Sequence, residues 1–267
     1  MPSIAAILAI VVVGIPLLMY LLQDRLLFFP QPVDAATRTA IGQRFAFAKE
    51  VFLQGETGER LQAWHVPGDP GRPLVIYFGG NAEEVSWMIE AAHARVLGLA
   101  WLLVSYRGYG GSEGSPSEAA ISADALRWHD HAVQALGAKE VIAFGRSLGA
   151  GAAVFLASQR PMKAVVLVTP FDSLVEVAKH HYPLLPVKVL LRHPFDSASR
   201  APQISAPLLC IAAARDEVIP VVHARRLFEA WGGPKRWMVL EEAGHNTTDS
   251  HPLFWQSVTD FLVNTNP

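Results

Sequence analysis

The sequence contains a single cysteine, Cys210, which rules out an intramolecular disulfide framework and leaves the redox compartment open. It lies in the apolar run Leu208-Leu209-Cys210-Ile211 and reads as a small buried hydrophobe. There is no H-E-x-x-H stretch and no cysteine pair, so the common zinc sites are missing and no metal is implied. A Walker sequence is absent too. Gly149-Ala150-Gly151-Ala152-Ala153-Val154 fails the dinucleotide fingerprint at its last position, so nothing points to a cofactor. Basic stripes are also lacking. The 22 Lys and Arg and 24 Asp and Glu are scattered and give a net charge of −2, which argues against a nucleic-acid partner. No internal repeat or low-complexity tract interrupts the 267 residues, enough for one large α/β domain and a short appendage.

The appendage comes first. Ile4 to Leu22 carries no charge and would be about 28 Å long as a helix, close to the hydrocarbon thickness of a bilayer. Gly14 and Pro16 are tolerated in a membrane span, and no basic n-region or prompt cleavage site marks a signal peptide. Gln23-Asp24-Arg25 and Phe28-Phe29-Pro30 read as an interfacial boundary with aromatic residues. The expectation is an N-terminal transmembrane helix within residues 1–30, anchoring the protein to a membrane, and a catalytic domain over 31–267. Arg25, Arg38 and Arg44 follow the span, which tips that domain towards the cytoplasmic side.

Beyond the anchor, short apolar strands alternate with helical patterns. Arg44–Leu53 and Arg60–Val66 suggest an opening hairpin around Gly55 to Gly58. Leu74–Phe78, Ala100–Ser105, Val141–Phe144, Ala164–Thr169, Pro207–Ala213 and Lys235–Leu240 read as strands. Helices are expected over Glu83–Leu97, Glu118–Leu136, Leu148–Ser158, Val221–Ala230 and Pro252–Val263. Continuous apolar strands of this kind form a mostly parallel central sheet covered by helices on both faces. The proline-rich segment at about 171–205 predicts a small cap over the carboxyl edge, where ligands bind in such sheets.

Gly145-Arg146-Ser147-Leu148-Gly149 stands between a strand and an Ala-rich helix. That places Ser147 on a sharp turn, its hydroxyl lifted above the sheet and the Leu148 amide facing a developing oxyanion. A second G-x-S-x-G, Gly110 to Gly114, lies in a glycine loop with no strand immediately before it and no helix starting after it, so Ser112 reads as a turn residue. Serine is a weak nucleophile and needs a base oriented by an acid. His245, in the loop after the final strand, has the right address; His251 directly precedes Pro252 and looks like a helix-start residue. His129 and His131 read as surface or packing residues, and His180, His181 and His193 belong to the cap. Asp216, after the Leu208–Ala213 strand, completes the order Ser147, Asp216, His245, with Asp172 as its rival. For the oxyanion hole, Gly79-Gly80-Asn81 follows the first long parallel strand, and Asn81 can donate its amide beside Leu148.

The anchor with Leu27-Phe28-Phe29-Pro30, Gly80-Asn81-Ala82, Tyr106-Arg107-Gly108-Tyr109-Gly110, the serine motif, Asp216 to Pro220 and Gly244-His245 together span nearly the whole chain. In this set the chain resembles the α/β-hydrolase superfamily, and within it the membrane-anchored serine hydrolases of the abhydrolase-domain type. Two positions depart from that pattern: Gly79 stands where His is common, and Ala213 where Gly usually precedes the acid loop. The resemblance implies an α/β-hydrolase fold and cofactor-free cleavage of carboxylic esters or thioesters, with a small-molecule or acyl-chain substrate. A serine peptidase is the alternative enzyme, although the chain has no room for the large extra domain it usually carries. A non-catalytic, membrane-tethered interaction module would be expected to lack a triad residue, whereas all three are present here.

Overall fold

The computed structural model describes Ser3, residues 13–96 and residues 98–264. In chain order the elements are α1 (Ile15–Leu27), α2 (Ala35–Arg44), β1 (Lys49–Gln54), β2 (Arg60–Val66) and β3 (Leu74–Phe78). Then follow α3 (Met88–Arg95), β4 (Ala100–Val104), α4 (Glu118–Gln134), β5 (Val141–Arg146), α5 (Leu148–Gln159) and β6 (Ala164–Val168). The cap helices α6 (Leu174–His181), α7 (Val187–Leu190) and α8 (Ser197–Arg200) precede β7 (Leu208–Ala213), α9 (Val221–Ala230), β8 (Lys235–Leu240) and α10 (Pro252–Asn264).

The eight strands form one sheet in the order β1-β2-β4-β3-β5-β6-β7-β8. The β1–β2 and β2–β4 pairs are antiparallel; the rest are parallel. Every residue of β3, β6 and β7 is buried, as strands covered on both faces require. One face packs against α4, α5 and α9 through residues such as Trp128, Leu156 and Leu227. The other packs against α3 and α10 through Ile89, Phe254 and Val258. The strand order reverses beside β3 and β5, and ligand sites lie at the carboxyl edge of such a switch point.

Two expected boundaries move. The hairpin strand expected from Arg44 begins only at Lys49, because residues 35–44 are helical. Asp34 caps that helix by accepting from the Thr37 amide at 2.7 Å, and the residues it starts are Ala-rich. Helix α3 starts at Met88 rather than Glu83, after a single 3₁₀ turn over Val85–Trp87. Glu83 is drawn out of it to accept from the Tyr77 hydroxyl and the Gly80 amide, both at 2.6 Å.

The N-terminal segment is where the sequence expectation needs correction. Residues 4–12 of the expected transmembrane helix lie outside the described residues. Among the described residues, no helix is long and apolar enough to cross a membrane. The thirteen residues of α1 make about 20 Å of helix. Gly14, itself with helical φ and ψ, precedes it, and Pro16 lies in its first turn. The helix also runs through Gln23-Asp24-Arg25, where two of the three side chains turn to the protein. Gln23 is buried; its amide donates to the Leu190 carbonyl at 3.1 Å and accepts from the Arg192 amide at 2.7 Å. Asp24 pairs with Arg192 and His193, each at 2.9 Å. These polar groups find their partners in the cap, which seats α1 against it. The aromatic pair divides, Phe28 entering the core and Phe29 remaining exposed.

The contact between α5 and β3 is the tightest part of the frame. A Cβ on Gly149 would meet the carbonyl of Phe78, and one on Gly145 the carbonyl of Gly149. Gly149→Ala is therefore expected to destabilise the protein by about 1–3 kcal/mol, as overpacking against fixed backbone does. Gly42→Ala, in α2 and only at ordinary contact distance from Trp64, is expected to be neutral or to stabilise by up to about 1 kcal/mol. Urea unfolding of the two variants checks the contrast.

Candidate active site

β5 ends at Arg146 and α5 begins at Leu148, leaving Ser147 alone to turn the chain. It does so with φ 51° and ψ −117°, a conformation side chains seldom adopt, and its amide is held by the Val168 carbonyl at 2.9 Å. Strained backbone of this kind survives only where its surroundings over-determine it. Here β6 and the two glycines do so. The hydroxyl is thus presented at the carboxyl edge, with the amide of Leu148, first residue of α5 and without an intrahelical acceptor, next to it.

The loop after β8 brings His245 to Ser147, Nε2 lying 2.9 Å from Oγ. Its Nδ1 lies 2.8 Å from Oδ2 of Asp216, in the loop after β7. An ionised carboxylate only accepts, so Nδ1 carries the hydrogen and Nε2 is free to accept the serine proton. The other carboxylate oxygen of Asp216 accepts from the amides of Val218 and Ile219 at 2.9 and 2.7 Å. Its side chain is 1% exposed, so the acid cannot swing away from His245 without breaking buried bonds.

Asp172 has different partners. It accepts from Nδ1 of the buried His223 at 2.8 Å and from Arg226 at 3.3 Å, tying the start of the cap to α9. The α6 N-cap is Ser173, which accepts from the Glu176 amide. The other histidine candidates of the loops and the cap have local partners. His251 accepts from the Leu253 amide at the start of α10, His129 contacts Asp130, and His193 holds Asp24. His180 packs edge-on against the rings of His181 and His223. Only His181 of the cap lines the cavity at Ser147. Ser112 is buried beneath the glycine loop, donating to the Ser105 carbonyl at 2.9 Å and accepting from the Gln62 amide at 2.8 Å.

The oxyanion loop differs from expectation in one respect. The Asn81 side chain does not face the serine as a donor: its Nδ2 donates to the Leu27 carbonyl at 2.5 Å. Its Oδ1 accepts from the Phe29 amide at 3.0 Å and the Tyr109 hydroxyl at 2.8 Å. The Gly80 amide is taken by Glu83. What Asn81 can offer an oxyanion is its main-chain amide. Of the two residues that fix this loop, Tyr109 lies in the Tyr106 to Gly110 motif, without its role there being legible, and Glu83 carried no sequence motif. At Gly79, the departing position, a Cβ would meet Val85 at 2.9 Å and the Glu83 carboxyl beyond it, so a side chain there would require both to shift.

Ser147 lies between two cavities. One, of about 400 Å³, is mostly apolar, with Leu27, Phe171, Leu174, Val177 and Leu191 among its walls, and both Asn81 and Leu148 line it. The other, of about 340 Å³, is more polar and is bordered by Glu83, Arg146, His245 and Asn246. Arg146 is flanked by Glu83 at 3.9 Å and Asp249 at 3.7 Å, so its charge is balanced there.

Residues 72–186 match a family model described as the alpha/beta hydrolase fold. An uncharacterized protein of Mycobacterium tuberculosis is 38% identical over 250 residues, covering 91% of this chain and 87% of its own length. The chain belongs to the α/β-hydrolase family. Within that family it is of the abhydrolase-domain type: the lysophosphatidylserine lipase ABHD12 of Danio rerio is 28% identical over 222 residues, 67% of this chain and 57% of that one. Among solved structures, the Pyrococcus furiosus esterase Pf2001 superposes with a TM-score of 0.64 at 18% identity, over 84% of this chain and 92% of its own.

The two aspartates separate in a rate-and-stability comparison. Asp216→Asn is expected to lower kcat about 10³–10⁴-fold with little change in KM, because it presents a donor to the wrong histidine nitrogen. Asp172→Asn is expected to keep kcat within several-fold while losing up to about 3–5 kcal/mol of stability through the broken His223–Arg226 cluster. Steady-state kinetics and urea midpoints of both variants check this.

Proposed function

We propose that this α/β-hydrolase cleaves carboxylic esters, thioesters included, through Ser147, His245 and Asp216. The observation that carries the reading is the unbroken hydrogen-bond chain from the Asp216 carboxylate through the His245 ring to the Ser147 hydroxyl. As Ser147 Oγ attacks the carbonyl carbon, its proton passes to His245 Nε2, and Asp216 stabilises the imidazolium that forms. The new oxyanion is received by the main-chain amides of Leu148 and Asn81. Collapse expels the alcohol or thiol, which takes the proton from Nε2. A water activated by the same nitrogen then releases the acid from the acyl-enzyme and regenerates Ser147. None of these steps requires a cofactor.

The two cavities divide the substrate between them. The larger, apolar one suits the acyl chain; the polar one, where charges are balanced, suits a hydroxylated leaving group. The lipase name of the zebrafish relative supports an ester substrate of this kind. The apolar run beginning at Ile4 suits attachment to a bilayer, and the arginines after it favour a cytoplasmic side for the rest of the chain.

Hydrolysis of p-nitrophenyl esters of increasing chain length tests the reading. The expected result is kcat/KM rising from acetyl to medium-length acyl groups, with Ser147→Ala lowering kcat by about 10⁶-fold while leaving the fold intact. Turnover by Ser147→Ala at an undiminished rate, or activity on peptides and none on esters, would refute it.

A further inference from the structure

We propose that the tip of the cap, residues 182–190, and the outer face of α1 together form a bilayer-docking surface. The proposal concerns where the protein sits and does not depend on the chemistry at Ser147. Leu184 is 96% exposed and Val189 83%, with Tyr182 beside them at 53%. On α1, Leu17, Leu18 and Leu21 are each more than half exposed. Large apolar side chains gathered this way on two neighbouring elements mark a contact surface rather than ordinary scatter.

The two elements are contiguous. They enclose a cavity of about 270 Å³, walled by Met19, Tyr20 and Leu26 from α1 and by Tyr182, Leu185 and Leu190 from the cap. Leu27, Ala178, Tyr182 and Leu191 line both this cavity and the one at Ser147. From Leu27 back to Met19 the helix rises about 12 Å, so the second cavity leads away from the serine along α1. The chain before α1 is Ile4-Ala5-Ala6-Ile7-Leu8-Ala9-Ile10-Val11-Val12, without a polar side chain.

Charge identifies the occupant. Residues 177–195 contain Lys179, Lys188 and Arg192 and no Asp or Glu. Lys179 is paired with Glu176, and Arg192 lies over the Tyr20 ring while pairing with Asp24. Lys188 is exposed beside Val189 and makes no ion pair among the described residues, so it can reach an anionic headgroup while its neighbours enter the apolar layer. An apolar patch with the unpaired Lys188 at its edge, adjoining the apolar run at residues 4–12, fits an anionic lipid surface.

An environment-sensitive fluorophore on the full chain tests this without turnover. Leu184→Cys, Val189→Cys and, at the opposite edge of the sheet, Lys139→Cys are each labelled with nitrobenzoxadiazole; the native Cys210 is fully buried and does not compete. With phosphatidylcholine–phosphatidylserine vesicles, the labels at 184 and 189 should blue-shift, brighten several-fold and be quenched by lipids spin-labelled near the headgroup. The label at 139 should remain water-like. Protein that fails to float with the vesicles, or floats with the 184 and 189 labels still in water, overturns the proposal. So does equal burial of those labels without vesicles as protein concentration rises, which would instead assign the face to a second copy.

Discussion

The site rests on one backbone approach, the seating of α5 against the end of β3. Gly149 lies so close to the Phe78 carbonyl that no side chain fits between them, and Gly145 lies almost as close to the Gly149 carbonyl. This approach forces the chain to reverse within one residue, which is why Ser147 adopts a positive φ. The same approach sets the distance from the first amide of α5 to the loop after β3. Were α5 to stand further off, Ser147, Leu148 and Asn81 would no longer line one cavity. The helix, the sheet and the reactive group are therefore one construction.

A second layer of interactions holds what the elbow presents. Asp216 is fixed by two amides of its own loop, and it in turn fixes the ring of His245. Glu83 pins the glycine turn, and Asn81 ties that turn to the end of α1. The N-terminal segment thereby becomes a wall of the site. Its last helical turn closes the apolar cavity at Ser147 through Leu27, and its buried Gln23 and paired Asp24 hold the cap in place.

Much of this was legible in the sequence, and the reason is local. The elbow is a contiguous motif whose strand, turn and helix signals agree, and β6 and β7 are fully apolar, so their places in a covered sheet follow directly. His245 and Asp216 were found by their positions after strands, because the order of elements determines which loops meet at the carboxyl edge. What sequence could not supply were side-chain pairings between distant segments. Asn81 was expected to aim its side chain at the substrate, yet it holds Leu27, fifty-four residues away. Gln23-Asp24-Arg25 has the composition of a membrane boundary, and only the cap's Leu190, Arg192 and His193 make it the inside of a helix seated on protein. The His223–Asp172 pair left no motif at all.

The central claim is that Ser147, and not the serine of the second G-x-S-x-G, carries the reaction. Mapping the site of a fluorophosphonate adduct by peptide mass spectrometry tests it most directly, since the phosphonyl group stays on the oxygen that attacked. The account predicts one adduct on the peptide containing Ser147, lost on heat denaturation before labelling. An adduct on Ser112, or active enzyme that takes up no label, would contradict it.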